Sequence, residues 1–184
     1  MNPRRLGLVC PPVSGHLNPA LTLGRELVDR GHEVTLFCFA DAEMPPGSLA
    51  TWLQRQGELS GFAALRSVTR LIQSENLAYI RDFPRPLKRA RTDGLILDQL
   101  AHGGVCVAQR LGIPHVTICN ALALHDDFRL PPFPQSWPYD PSLFGRARNV
   151  LGYLPLRLTS RFYFRALNEA RRAWQLPEFN PRYT

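Results

Sequence analysis

The chain has 184 residues, of which 45% are hydrophobic and 20% charged. This composition is typical of a globular protein, and the length suits one domain but is too short for two. No apolar run is as long as a membrane span, and the N-terminus lacks the pattern of a secretory signal, so we expect a cytoplasmic protein. The formal net charge is +7, but no nucleic-acid-binding motif accompanies it, and we therefore do not expect nucleic acid as a partner.

Four cysteines lie in apolar segments, and none has a neighbour at metal-ligand spacing. We expect all four to be reduced core residues and predict no metal site. They are Cys10, Cys38, Cys106 and Cys119.

The first part of the chain has the pattern of a strand, a helix and a second strand. Residues 6–10 and 34–39 are short apolar runs, typical of strands covered on both faces. Between them, Asn18 is a suitable N-cap, Pro19 a suitable first helical residue, and Gly31 is placed to end the helix. The pattern predicts a βαβ unit, in which parallel strands present their carboxyl ends to ligands.

A second βαβ unit follows a mostly helical stretch at residues 48–89. Residues 93–98 form the next predicted strand, residues 105–111 a short helix that Gly112 ends, and residues 115–119 another strand. Together the two units predict an α/β fold with a parallel sheet.

The C-terminal part begins with a long proline-rich loop, residues 120–141, whose aromatic side chains either line an apolar pocket or fix the loop to the surface. Residues 143–153 and 156–174 are predicted to form two helices separated by Pro155. This last quarter is rich in arginine and aromatic residues. It is either a solvated helix face covered by arginine stems, or a contact surface for an anionic membrane or an acidic partner.

Residues 15–19, 23–27 and 30–35 read Gly-His-Leu-Asn-Pro, Leu-Gly-Arg-Glu-Leu and Arg-Gly-His-Glu-Val-Thr. They resemble the N-terminus of inverting, nucleotide-sugar-dependent glycosyltransferases of the GT-B fold, in the UDP-glycosyltransferase group and nearest to bacterial enzymes of the zeaxanthin glucosyltransferase type. The resemblance implies that residues 1–184 form one acceptor-binding half of that fold, a Rossmann-like, doubly wound parallel sheet flanked by helices. It also implies that one helix–strand unit is missing after residue 40.

Two residues match the chemistry that such a transfer needs. Histidine is a suitable base for an acceptor hydroxyl, and a carboxylate behind it fixes its tautomer and stabilises the imidazolium. His16 and Asp98 both follow buried parallel strands at the same edge of the sheet, so their side chains are expected to meet. The resemblance assigns them the same roles of catalytic base and orienting aspartate.

Further candidates for acceptor binding come from the long loop and from the turn after Asp98. In that turn, His102 either contacts the acceptor or is a surface residue. The loop candidates are Asn120, His125, Asp126, Phe128 and Trp137.

The resemblance also implies the partners. The acceptor is expected to be a hydroxylated apolar small molecule, and the donor a UDP-sugar bound mainly by a second domain that this chain lacks. No cofactor is expected. The chain would then be either a truncated member of the group or one subunit of a split enzyme whose donor domain is a separate chain. The alternative is a non-catalytic remnant or binding module that keeps the acceptor pocket.

Overall fold

The computed structural model describes residues 2–38, 51, 54–55, 57–120 and 127–180. Within these residues four parallel strands form a sheet in the order β2-β1-β3-β4. The strands are β1 (Arg5–Val9), β2 (Glu33–Phe37), β3 (Gly94–Asp98) and β4 (His115–Ile118). The sheet confirms the predicted Rossmann-like α/β class.

The strand order determines where a ligand can bind. β1 is paired with β2 on one side and with β3 on the other, and Leu8 lies opposite Leu36 and Ile96. The chain runs outward from β1 to β2 and, in the other direction, from β3 to β4. The carboxyl ends of β1 and β3 therefore flank the point where the strand order reverses, which is the usual ligand site in such sheets.

Helices accompany the sheet, and five of them lie entirely within the described residues. They are α1 (Ser14–Asp29), α2 (Gly61–Asp82), α3 (Pro84–Arg89), α4 (His102–Leu111) and α5 (Leu143–Ala173). α1 and α4 end in the same way, because Gly31 and Gly112 adopt positive φ angles of 86° and 66°. After Gly31, the N–H of His32 donates to the carbonyl of Leu27 at 3.0 Å, as in a Schellman motif. The predicted glycine terminators are confirmed.

The predicted start of α1 at Pro19 is wrong, because the helix begins at Ser14. The N–H groups of His16 and Leu17 both donate to the carbonyl of Val13, at 3.0 and 2.8 Å, so the first turn forms before the proline. Pro19 removes only the hydrogen bond to the carbonyl of Gly15, which lies on the exposed side of the helix. His16 is therefore held on the first helical turn and not in a loop.

The predicted break at Pro155 is also wrong, because α5 continues through it as one helix of 31 residues. Because proline has no N–H, the carbonyl of Leu151 loses its helical hydrogen bond. Leu151 is 66% exposed, so its carbonyl can be hydrated instead. On the inner face, Tyr153 and Leu156 are both buried, so packing continues across the proline. Packing on both sides of the proline outweighs the lost hydrogen bond.

The main core lies between the sheet and the helices that follow β2 and β3. Its buried members are Val9, Leu95 and Leu97 from the sheet, and Tyr79, Phe83, Leu87, Ala101, Val107 and Ala108 from the helices and turns. A second cluster, Tyr163, Phe164 and Leu167, is formed by α5.

The prediction for the cysteines is half right. All four are thiols outside any disulfide, but only Cys10 and Cys106 are buried, whereas Cys38 and Cys119 are exposed. The two exposed residues directly follow β2 and β4, the outer strands of the sheet. The predicted loss of a helix–strand unit after residue 40 concerns residues 39–50, which lie outside the described residues, and stays a prediction.

Candidate active site

The carboxyl ends of β1 and β3 bring one histidine and one aspartate together. His16, on the first turn of α1, places Nδ1 2.7 Å from Oδ2 of Asp98, the last residue of β3. The Asp98 side chain is fully buried, while that of His16 is 17% exposed. The imidazole is thus anchored on its inner side and can be reached from solvent.

The carboxylate of Asp98 is surrounded by donors. Oδ1 accepts the backbone N–H of Leu100 at 2.8 Å, and Oδ2 accepts Nδ2 of Asn120 at 2.9 Å as well as the contact with His16. Because a carboxylate only accepts, the neutral His16 must carry its proton on Nδ1. This assignment leaves Nε2 with a free lone pair, the atom that a general base would use.

Asn120 is the loop candidate that the structure brings to this pair. It follows β4, and its Nδ2 is also 3.5 Å from the backbone carbonyl of His16. It therefore ties the ends of β3 and β4 to the start of α1. Its predicted contact with an acceptor stays a prediction.

A cavity of about 640 Å³ opens beside Asp98, within the size range of small-molecule sites. Its wall is largely apolar and comes from α2, α5, the sheet edge and the segment after α5. Representative lining residues are Leu65, Val68, Ile72, Leu156, Phe164 and Phe179.

Two aromatic loop candidates pack on the long helix α5. Phe128 meets Tyr153 edge-on at 5.5 Å and lies under the guanidinium of Arg157 at 4.6 Å. Trp137 lies 5.1 Å from the guanidinium of Arg148. Neither aromatic residue lines the cavity, and both fix the loop to α5. Their part in acceptor binding stays a prediction.

The remaining loop candidates, His125 and Asp126, lie outside the described residues.

His102 lies in the cavity wall and is not an exposed turn residue. It is the first residue of α4, which begins before the predicted residue 105, and it lines the cavity. Its Nδ1 is 2.9 Å from the hydroxyl of Tyr163, and the rings of Phe164 and Phe179 pack against it at 5.2 and 5.8 Å. Burial lowers the pKa of His102 to about 4, so it is neutral near pH 7.

Sequence reasoning missed Asn76 and Glu75, two neighbours on α2. The fully buried side chain of Asn76 donates to the carbonyl of Leu100 at 2.8 Å and accepts the N–H of Gly103 at 2.5 Å, which fixes the turn after Asp98. Glu75 is partly buried, and burial raises its pKa, while the nearby His16 lowers it. The available signal was a polar residue four positions after Ile72, on the apolar stripe of a predicted helix.

Comparison with known proteins identifies the family to which the chain belongs. Residues 18–174 match the family described as Glycosyltransferase Family 4. The chain belongs to this glycosyltransferase family. It is 27% identical over 157 residues to a zeaxanthin glucosyltransferase of Pantoea ananas, covering 76% of this chain and 36% of that protein. It is 26% identical to the 4'-demethylrebeccamycin synthase of Lentzea aerocolonigenes, covering 85% of this chain and 42% of that protein.

Solved glycosyltransferases share the fold of this family member. The kitacinnamycin glycosyltransferase superposes with a TM-score of 0.62 at 19% identity, over 98% of this chain and 43% of that one. The calicheamicin glycosyltransferase superposes with a TM-score of 0.59 at 17% identity, over 97% and 47% of the respective chains. The chain therefore has the fold of one half of a GT-B enzyme, and it spans less than half the length of these relatives.

Two further properties of the described residues concern metal ions and membranes. In this part of the chain, no group of three or more histidine, cysteine, aspartate or glutamate side chains is arranged to hold a metal ion. The helices found there are all too short or too polar to cross a membrane.

Proposed function

We propose that this glycosyltransferase-family chain is the acceptor-binding half of an enzyme that transfers a sugar, with inversion, from a UDP-sugar to a hydroxylated apolar small molecule. The observation that supports this function best is the 2.7 Å contact between His16 and the fully buried Asp98, beside a largely apolar cavity. One of the relatives is, by its name, a glucosyltransferase that acts on zeaxanthin, a small molecule.

In the proposed reaction, Nε2 of His16 takes the proton of the acceptor hydroxyl as its oxygen attacks the anomeric carbon of the sugar. The bond from that carbon to the phosphate oxygen breaks, and its electron pair leaves with the nucleoside diphosphate. Attack on the face opposite the leaving group inverts the anomeric centre. Asp98 holds the ring in position and stabilises the imidazolium that forms.

Asp98 is also needed because of where His16 is placed. The N-terminus of a helix carries partial positive charge, which disfavours an imidazolium on the first turn of α1. The carboxylate at 2.7 Å offsets this effect directly. The pair thus combines a base with the counter-charge that its protonated form requires.

The donor site is proposed to come from elsewhere. The chain covers only 36% and 42% of the two curated relatives, and positioning both substrates is a large part of catalysis. We infer that a donor-binding domain outside residues 1–184 completes the enzyme. No cofactor takes part in this proposal, and a cytoplasmic location stays a prediction.

The experiment is a sugar-transfer assay with UDP-glucose and a panel of hydroxylated apolar acceptors, on the chain combined with a candidate donor-domain partner. We expect His16→Ala to lower kcat by roughly 10²–10⁴-fold, the usual contribution of a general base, while acceptor binding is retained. His32→Ala is the matched control, because His32 directly follows the glycine that ends α1 and is also partly buried.

Two results would contradict the proposal. One is unchanged transfer by His16→Ala. The other is an absence of transfer with every acceptor and partner although acceptors bind to the cavity, which would favour the non-catalytic binding module.

A further inference from the structure

The long helix α5 is apolar on two opposite faces. Its inner face is buried against the rest of the domain, through residues such as Tyr153, Leu156 and Leu167. Its outer face carries five large apolar residues at intervals of three, four or seven positions, each between 49% and 78% exposed. This outer stripe consists of Phe144, Leu151, Leu154, Leu158 and Phe162.

Helix geometry shows that the outer stripe points away from the domain. Leu156 and Leu158 are two residues apart, so their directions differ by about 200° around the axis, and the first is buried while the second is 49% exposed. From Phe144 to Phe162 the stripe is about 27 Å long at 1.5 Å per residue. A surface helix normally presents polar residues to water, so a second apolar face requires a partner.

The charge of α5 indicates what kind of partner that is. The helix contains seven arginines and a single acidic residue, Glu169. Arg157, Arg161 and Arg165 follow one another at intervals of four residues, and all three are exposed. They form a row beside the outer stripe, so apolar side chains and cationic groups lie along the same side of the molecule.

We propose that the outer stripe and its arginine row bind the surface of an anionic lipid bilayer, with α5 lying in the plane of the interface. Helices that bind in this way combine leucine and phenylalanine on one face with flanking basic residues. Anionic headgroups attract such a row, and this attraction weakens as salt is added. α5 lies on the bilayer in this arrangement and does not cross it, in keeping with its polarity.

Two other occupants fit the surface less well. A second copy packed stripe to stripe would bring the two arginine rows close together, where like charges repel. A donor domain has to reach His16 at the carboxyl edge of the sheet, whereas the outer stripe points away from the α5 face that lines the cavity, which includes Leu156 and Phe164. The charge of the arginine row and the direction of the outer stripe therefore favour a bilayer over a second copy or a donor domain.

The arrangement has a consequence for an apolar acceptor. Arg157 and Arg161 also line the cavity, so its wall continues into the surface that meets the bilayer. A lipid-soluble acceptor would therefore leave the membrane close to the cavity. This consequence rests on the proposed function, whereas bilayer binding does not.

The test is co-sedimentation of the 184-residue chain with vesicles of phosphatidylcholine alone or mixed with phosphatidylglycerol. We expect tighter binding to the mixed vesicles, and weaker binding to them in high salt. Leu158→Ser with Phe162→Ser should lower the partition coefficient at least about tenfold, because two large apolar side chains no longer enter the interface. Val28→Ser with Phe62→Ser, at sites of 53% and 54% exposure outside the stripe, is the matched control and should change binding little.

A second pair of variants tests the charge. Arg161→Glu with Arg165→Glu should abolish the preference for phosphatidylglycerol, whereas Arg25→Glu with Arg70→Glu makes the same change in net charge on other helices and should largely preserve it. The proposal is overturned by a lack of binding to either vesicle, or by equal effects of the stripe and control variants. Sedimentation equilibrium that shows a dimer abolished by Leu158→Ser with Phe162→Ser would assign the stripe to a second copy instead.

Discussion

Asn120 donates through Nδ2 to Oδ2 of Asp98 at 2.9 Å, and this oxygen is the same one that lies 2.7 Å from Nδ1 of His16. The amide therefore holds the carboxylate from the side opposite the backbone N–H of Leu100, which binds Oδ1 at 2.8 Å. With both oxygens fixed, the carboxylate cannot rotate away from the imidazole. We assign Asn120 as a positioning residue that acts through Asp98.

Replacing Asn120 by alanine should lower kcat of the completed enzyme by about 10- to 100-fold, the effect of losing one hydrogen bond to a charged group. KM should change little, since the lost contact orients the base and does not hold the acceptor. Steady-state kinetics separate the two constants, and Asn120→Gln, which keeps an amide donor, should recover part of kcat. An increase in KM with kcat unchanged would make Asn120 an acceptor contact instead.

The βαβ patterns in the sequence were enough to predict the sheet and the edge at which the site lies. Residues 6–10 and 93–98 are apolar runs followed by polar or turn residues, and parallel strands place such ends together. His16 and Asp98 are 82 positions apart, yet the topology alone brings them to one edge. Loop geometry was not needed for this inference.

The parts that sequence could not predict depend on tertiary packing. Local propensity favours a helix start at Pro19 and a break at Pro155, but in each case the lost hydrogen bond is at an exposed carbonyl and packing of the helix outweighs it. The role of Asn76 depends on how closely α2 approaches the turn after Asp98. That distance is not encoded in any local pattern.

Trp137 offers a direct test of what the aromatic loop does. A Cβ added to Gly152 would lie 2.6 Å from the Trp137 ring, so the indole packs directly on the backbone of α5. Trp137→Ala should therefore reduce the free energy of unfolding by about 1–3 kcal/mol, less than for a fully buried aromatic side chain. Urea denaturation measures this change. A stable variant with weakened acceptor binding would support the pocket interpretation of this residue.

Stability should depend on pH through His102. Burial lowers its folded-state pKa from 6.5 to about 4, so between these values the unfolded chain binds the proton more readily. The contribution is complete above pH 6.5 and is lost as the pH falls towards 4, by at most about 3 kcal/mol. Urea denaturation at several pH values should show this loss in the natural chain.

His102→Gln is the comparison for that experiment, because glutamine does not titrate and its amide can either donate a hydrogen bond to Tyr163 or accept one from it. Glu75 acts in the opposite direction, since burial raises its pKa and its contribution is lost as the pH rises above 4.5. Subtracting the free energy of unfolding of His102→Gln from that of the natural chain at each pH cancels the contribution of Glu75 and isolates that of His102. If the free energies of unfolding of the two proteins run parallel as the pH changes, His102 does not contribute to the pH dependence of stability.

Gly103 and Gly104 provide a matched pair for the packing of α4. A Cβ on Gly103 would collide with the backbone carbonyl of Asn76, which cannot move without displacing α2. Gly103→Ala should therefore cost about 1–3 kcal/mol or more, with loss of the hydrogen bond to the Asn76 side chain.

A Cβ on Gly104 would lie 3.1 Å from the Cδ2 of Leu97, its nearest neighbour, and at ordinary contact distance from Ala101 and Val9. Alanine is also the better helix former by about 1 kcal/mol. The free energy of unfolding of Gly104→Ala should therefore stay close to that of the natural chain. Because the turn that Asn76 fixes also carries the Leu100 N–H bound to Asp98, Gly103→Ala should in addition reduce transfer by the completed enzyme. Equal stability of the two variants would contradict the close approach of α2 and α4.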